Sequence, residues 1–105
     1  MGRKEAILKD LEDFKRNLDG EISVSKIIFF GSRVSGKPHK DSDIDLIVVS
    51  KDFNGKRFRD RPIGFYSHWT LDYPVDFLCY TPEEFNKLRK QVSIVREAVK
   101  EGIEI

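Results

Sequence analysis

Two aspartates, Asp43 and Asp45, open a strongly apolar run within GSRVSGKPHKDSDIDLIVV, residues 31–49. On a strand, alternate side chains leave the same face, which puts the two carboxylates roughly 6 to 7 Å apart at the backbone. Set among Ile44, Leu46, Ile47, Val48 and Val49, they repel each other and are partly desolvated. A divalent cation between them removes that cost, and an all-oxygen donor pair selects Mg²⁺ or Mn²⁺ over zinc. Upstream, Gly31-Ser32 closes a second apolar run and opens a loop. Arg33, Lys37 and Lys40 give that loop a local charge of +3, with no acid between residues 31 and 40. Glycine lets a backbone approach a phosphate closely, and free amides at a helix start attract an anion. An anion-binding loop beside a metal-binding strand is what a nucleoside triphosphate and its Mg²⁺ require.

The elements that must hold these groups are legible in outline. Residues 3–18 are strong helix formers, with Ile7, Leu8, Leu11, Phe14 and Leu18 on one face and Gly20 as a stop. Val24 to Phe30 reads as a buried strand, Asp43 to Val49 as a second and Val75 to Tyr80 as a third. Lys51 to Pro62 is polar, basic and irregular. Thr81-Pro82-Glu83-Glu84 is a helix start, with a hydroxyl at the cap, proline at the first position and acids near the positive end of the dipole. Phe85, Leu88, Val92, Val95 and Val99 predict that one helix continues to Gly102. Strands alternating with helices argue for one sheet covered on at least one face by helices.

Composition narrows the possibilities further. The chain has 105 residues, the scale of one domain over 1–105. With 39% hydrophobic and 35% charged residues it reads as folded and soluble. Nineteen Lys and Arg against eighteen Asp and Glu leave +1, so any nucleic-acid contact must be local. No uninterrupted apolar run, Ile27 to Phe30 and Leu46 to Val49 included, exceeds four residues, far too short for a membrane span or a signal peptide. Cys79 is the sole cysteine, so neither an internal disulfide nor a cysteine-based metal site is expected. The expected compartment is the cytoplasm, with no membrane partner.

Gly31-Ser32, ten residues, then Asp43-x-Asp45 resembles the G-S-x₁₀-D-x-D signature of the DNA polymerase β nucleotidyltransferase superfamily. The Gly-Ser-Arg opening, the Ser-Asp-Ile-Asp-Leu core and the short chain look most like its minimal nucleotidyltransferases (MNT). The resemblance runs from about Val24 to the end of the chain and implies an α/β (α+β) fold of the polymerase-β nucleotidyltransferase type, a small mixed sheet of three or more strands covered by helices. It implies a third carboxylate within a hydrophobic-Asp-hydrophobic pattern on a later strand. Val75-Asp76-Phe77-Leu78 supplies one, whereas the nearby Asp72 lies in a turn-like Leu-Asp-Tyr-Pro setting. The resemblance further implies that Asp43, Asp45 and Asp76 are catalytic and hold two Mg²⁺ about 4 Å apart, with Mn²⁺ as a substitute. Gly31, Ser32 and Arg33 would then bind the phosphates of ATP as substrate. Nucleotidyl transfer to a hydroxyl is the expected activity.

Few residues remain for an acceptor domain, so acceptor binding is expected to fall to a partner chain. The family resemblance implies a small helical HEPN-type toxin encoded nearby, neutralised by addition of AMP to a tyrosine, and so an antitoxin role. Self-association and an RNA contact stay open. The rival readings are a non-catalytic antitoxin that binds stoichiometrically, and a transferase acting on RNA or a small molecule. Gly102-Ile103-Glu104-Ile105 reads as an edge strand or a docking tail.

Other patterns carry less. Gly31-x₄-Gly36-Lys37 is one residue short of a P-loop, but Pro38 stands where the Mg²⁺-binding hydroxyl belongs. His39 and His68 lack His or Cys partners for zinc. Cys79 alternates with Val75 and Phe77 and reads as a buried structural thiol. Trp69 reads as core or partner surface. Lys51, Lys56, Arg57, Arg59 and Arg61 against Asp52 and Asp60 give +3, which is either a solvated loop or a grip on phosphates or RNA, with Phe53 and Phe58 interleaved.

Overall fold

The computed structural model describes residues 3–35 and 43–105. Helix α1 (Arg3–Asp19) is followed by strand β1 (Val24–Phe30), the single-turn helix α2 (Ser32–Ser35) and strand β2 (Ile44–Ser50). Next come three 3₁₀ turns, then strand β3 (Val75–Tyr80), helices α3 (Pro82–Leu88) and α4 (Ile94–Glu101), and the short strand β4 (Ile103–Glu104). One sheet runs in the order β3-β2-β1-β4. β1 pairs antiparallel with β2 and with β4, while β2 and β3 are parallel. The sheet is therefore mixed, as the resemblance implies, and helices cover both of its faces rather than one alone.

The two faces follow from the period of two along each strand. Ile27 and Phe29 of β1, Ile44, Leu46 and Val48 of β2, and Val75, Phe77 and Cys79 of β3 face one way. They pack on Ile7, Leu11, Phe14 and Leu18, the buried stripe of α1. Ile28, Phe30, Ile47 and Val49, with Leu78 and Tyr80, face the other way, onto Phe85, Val95 and Ala98 of α3 and α4. Both faces of the central strands are buried, which is why they read as apolar runs rather than alternating ones.

A parallel pair needs a crossover. Here the crossover holds 3₁₀ turns at Lys51–Phe53, Phe58–Asp60 and Phe65–His68 instead of an α-helix. Its anchors are Phe53 and Phe65, both buried, and Trp69, edge-on to Phe14 at 5.3 Å. Arg61 crosses from this segment to the outer edge of β3. It donates to the carbonyls of Lys56 and Cys79 and makes a bidentate pair with Glu84 at 2.6 and 3.2 Å. Tyr66 reaches the same edge, donating to the Val75 carbonyl. Glu84 also closes a capping box with Thr81 at the start of α3. Burial pushes the Cys79 thiol up to about 12 even though Arg61 pulls the other way, so it stays protonated and structural.

The long helix expected after Thr81 is two helices. Ser93 interrupts it: its hydroxyl donates to the Leu88 carbonyl at 2.7 Å and accepts from the Arg96 amide at 3.2 Å, capping α4. A short polar side chain that can satisfy orphan backbone groups competes with helix continuation. Val92 falls in the resulting connection and is 93% exposed, while Val99 lies at the rim. Gly102 does end the second helix. A Cβ there would sit 2.8 Å from both the Phe29 carbonyl oxygen and Ile28 Cγ2, so glycine lets the chain fold back on β1. The last residues form an edge strand, with the Ile105 amide donating to the Ile27 carbonyl at 2.8 Å.

Candidate active site

The second face of the sheet changes character at the beginnings of β2 and β3. Where the alternation would continue with apolar side chains, it has Asp45 and Asp76. These two are register partners on neighbouring parallel strands, whose backbones lie about 4.8 Å apart. Asp43 stands one residue ahead of β2 and is exposed; Asp76 is exposed and Asp45 half-buried. The Asp45 carboxyl is raised above the usual carboxylate range, first by desolvation, then by the charges of Asp76 and Asp43. Repulsion that sequence spacing implies for Asp43 and Asp45 is thus joined by a third carboxylate from another strand.

Asp72, the alternative third acid, lies outside β3 in the preceding bend. The Ile44 amide donates to the Pro74 carbonyl at 2.8 Å. This bond fixes the parallel register at the residue between Asp43 and Asp45.

Gly31 ends β1 beside this group, its neighbour Phe30 being in register with Asp45. Its φ is +95°, and a Cβ would collide with Asp45 Oδ2 and lie 3.1 Å from Cγ. Only glycine satisfies both the backbone conformation and the close approach. The chain then turns into α2, with the Val34 amide donating to the Gly31 carbonyl at 3.0 Å. Ser32 opens that turn, and Arg33 follows on it with its guanidinium over the Tyr73 ring, 4.3 Å from the centroid. Gly31, Ser32, Asp43, Asp45 and Asp76 are thereby brought to one end of the sheet, with Arg33 beside them.

Residues 36–42, with Lys37, His39 and Lys40 of the basic loop and most of the P-loop-like pattern, lie outside the described residues. Among the described residues, no three His, Cys, Asp or Glu side chains close on one point as a metal ligand set would. The donor chemistry nonetheless fits a hard divalent cation: carboxylate oxygens from two adjacent strands, one of them partly desolvated and raised by the charges of the others. His68 pairs instead with Glu21 at 2.8 Å, away from these acids.

The basic segment is less available than its composition suggests. Arg61 is buried in its pair with Glu84, and Arg57 lies 3.3 Å from Asp60. Phe53 is core, and Phe58 packs on Tyr80 while staying half-exposed. The contact between Arg33 and Tyr73 is not foreseeable from sequence, because neither periodicity nor motif spacing links residues so far apart.

A mixed sheet that gathers acids from two parallel strands beside a glycine-capped strand end is the framework of a nucleotidyl-transfer enzyme. The chain belongs to the nucleotidyltransferase domain family, whose model matches residues 7–105. It is 35% identical over 77 residues to MntA of Haemophilus influenzae, described as a probable protein adenylyltransferase; the match covers 71% of this chain and 68% of that protein. A Sulfolobus solfataricus protein assigned as a nucleotidyltransferase has a crystal structure of the same fold. Its TM-score is 0.54 at 20% identity, over 99% of this chain and 87% of that one. Among the described residues no helix is long and apolar enough to cross a membrane.

Proposed function

We propose that this nucleotidyltransferase moves AMP from ATP onto a tyrosine hydroxyl of a small helical HEPN-type partner protein, acting in the cytoplasm as the antitoxin of a toxin–antitoxin pair. The observation that carries the transfer reading is the in-register placement of Asp45 and Asp76 beside Gly31. Similarity to a probable protein adenylyltransferase supports AMP as the group and a protein as the acceptor.

Asp43, Asp45 and Asp76 would hold Mg²⁺, with Mn²⁺ as a substitute. A bound divalent cation supplies Lewis-acid polarisation and charge neutralisation at the transferred phosphate. Gly31, Ser32 and Arg33 bind and orient the β- and γ-phosphates. Asp76, the more exposed of the register pair, accepts the proton of the acceptor hydroxyl. The hydroxyl oxygen then bonds to the α-phosphorus as the bond to the β-phosphate oxygen breaks, and pyrophosphate leaves. Positioning and electrostatics suffice, with no covalent intermediate on the enzyme.

The test is ATP labelled at the α-phosphate, with Mg²⁺, in a native-host lysate, comparing wild type with Asp43→Asn. The expected result is one small protease-sensitive band labelled only by wild type, whose tryptic peptide carries AMP on tyrosine. Label that RNase removes would transfer the acceptor to RNA. No differential label with any nucleotide or with Mn²⁺ would leave a stoichiometric binder.

A further inference from the structure

Arg33 and Tyr73 meet only in the fold. The guanidinium lies 4.3 Å from the ring centroid, well inside the ~6 Å range of a cation–π contact. Tyr73 is half-buried and packs against the core on the α1 side of the sheet. Its backbone carbonyl accepts from Trp69 Nε1 at 2.9 Å, and Trp69 stands edge-on to Phe14 and Phe77 at 5.3 and 5.8 Å. The next carbonyl, that of Pro74, accepts from the Ile44 amide at the start of β2. Tyr73 is thus tied to the core under α1 and to the strand that carries Asp45.

A long arginine side chain loses rotamer freedom when it grips a ligand. One already laid against a ring has lost part of it beforehand, and binding is tighter by that saving. Stacking uses the face of the guanidinium, whereas its five N–H donors lie in the plane, so one arginine can stack and hold phosphate oxygens together.

We propose that Tyr73 is a positioning residue that orders Arg33 for the triphosphate of ATP. This rests on the reading of Arg33 as a phosphate-binding group. Tyr73 acts on nucleotide affinity through Arg33 and takes no part in the bond-making step.

The experiment is a double-mutant cycle read by equilibrium binding of ATP with Mg²⁺ and by kcat and KM for label transfer. Variants are Tyr73→Leu, Tyr73→Phe, Arg33→Ala and the Tyr73→Leu/Arg33→Ala pair, each checked for its melting temperature. Tyr73→Leu keeps apolar bulk but has no ring face; should it not fold, Tyr73→Met takes its place. The expected result for Tyr73→Leu is about three- to tenfold weaker ATP binding, the effect of one lost cation–π contact, with kcat changed less than about twofold. Tyr73→Phe retains wild-type affinity, and Tyr73→Leu adds nothing once Arg33 is alanine. Wild-type affinity in Tyr73→Leu overturns the proposal, as does an equal loss in Tyr73→Phe or an undiminished loss in the Arg33→Ala background. If wild type binds ATP and Arg33→Ala binds it equally well, the reading of Arg33 falls. If wild type binds no ATP, the nucleotidyl-transfer reading falls, and each proposal built on it falls too.

Discussion

Asp45 and Asp76 stand across from each other in register on adjacent parallel strands, so that two carboxylates from distant parts of the chain share one end of one sheet face. Asp45 is half-buried, and desolvation together with the charges of Asp76 and Asp43 raises its carboxyl above the usual carboxylate range. A protein that needed only its fold could place apolar side chains at both positions, as it does at Ile47 and Leu78 farther along the same face.

Asp45→Asn should therefore separate activity from stability. Label transfer is expected to fall at least about a hundredfold, the scale of losing a charge-stabilising ligand. In EDTA the same variant should melt at or above the wild-type temperature, because the substitution removes a repulsive charge at constant shape. Thermal melts beside transfer assays check both. A variant that is less stable in EDTA would show Asp45 to be a structural group.

Gly31→Ala is expected to damage both at once. The positive φ costs an alanine about 1 to 2 kcal/mol, and the new Cβ must displace the Asp45 carboxylate it meets. Unfolding in urea should show a loss of about that size or more, with transfer reduced beyond what the lost stability explains. Gly55 is also at positive φ, but a Cβ there would have nothing within 4 Å, so it serves as the control. Gly55→Ala should show the backbone cost and keep full activity.

Much of the fold is legible in the amino-acid sequence. β1 and β3 fall where the apolar runs place them, β2 is shifted by one residue, and the Thr81 cap with Pro82 behind it marks the start of α3. The signals that work are local ones: periodicity, caps and breakers. The failure after Leu88 is also local, since Ser93 satisfies backbone groups that a continuous helix would use, and the apolar stripe hides it. What cannot be read is the long-range pairing. Arg61 counts as one more surface cation in composition, yet the fold buries it against Glu84 and the Cys79 carbonyl. The register that sets Asp76 rather than Asp72 opposite Asp45 depends on strand pairing, which the motif suggests and only the sheet specifies.

The pair of Arg61 and Glu84 yields a pH-dependent prediction. The Arg61 hydrogen bonds hold the Glu84 carboxyl below its usual value of 4.5, with a smaller contribution from Thr81. A carboxyl lowered in the folded state adds stability above its unfolded pKa and loses it as pH falls through the folded one. Glu84 is 42% exposed, so solvent screening limits the contribution to about 1 kcal/mol. Glu84→Gln should cost about that much at pH 7 by urea unfolding, and the gap to wild type should close as pH drops below 4.5. A gap that stays constant with pH would mean that the loss does not come from the carboxylate charge.

The role of the register pair is tested most sharply by comparing Asp76→Asn with Asp72→Asn in transfer of the α-phosphate label from ATP, with Mg²⁺ and with EDTA. The two acids are close neighbours in the chain, and only Asp76 lies in register with Asp45. Wild type should transfer label only with metal present. Asp76→Asn should lose at least about a hundredfold, while Asp72→Asn should stay within about twofold of wild type. Full activity in Asp76→Asn, or loss in Asp72→Asn alone, would contradict the assignment of Asp76 to the active site.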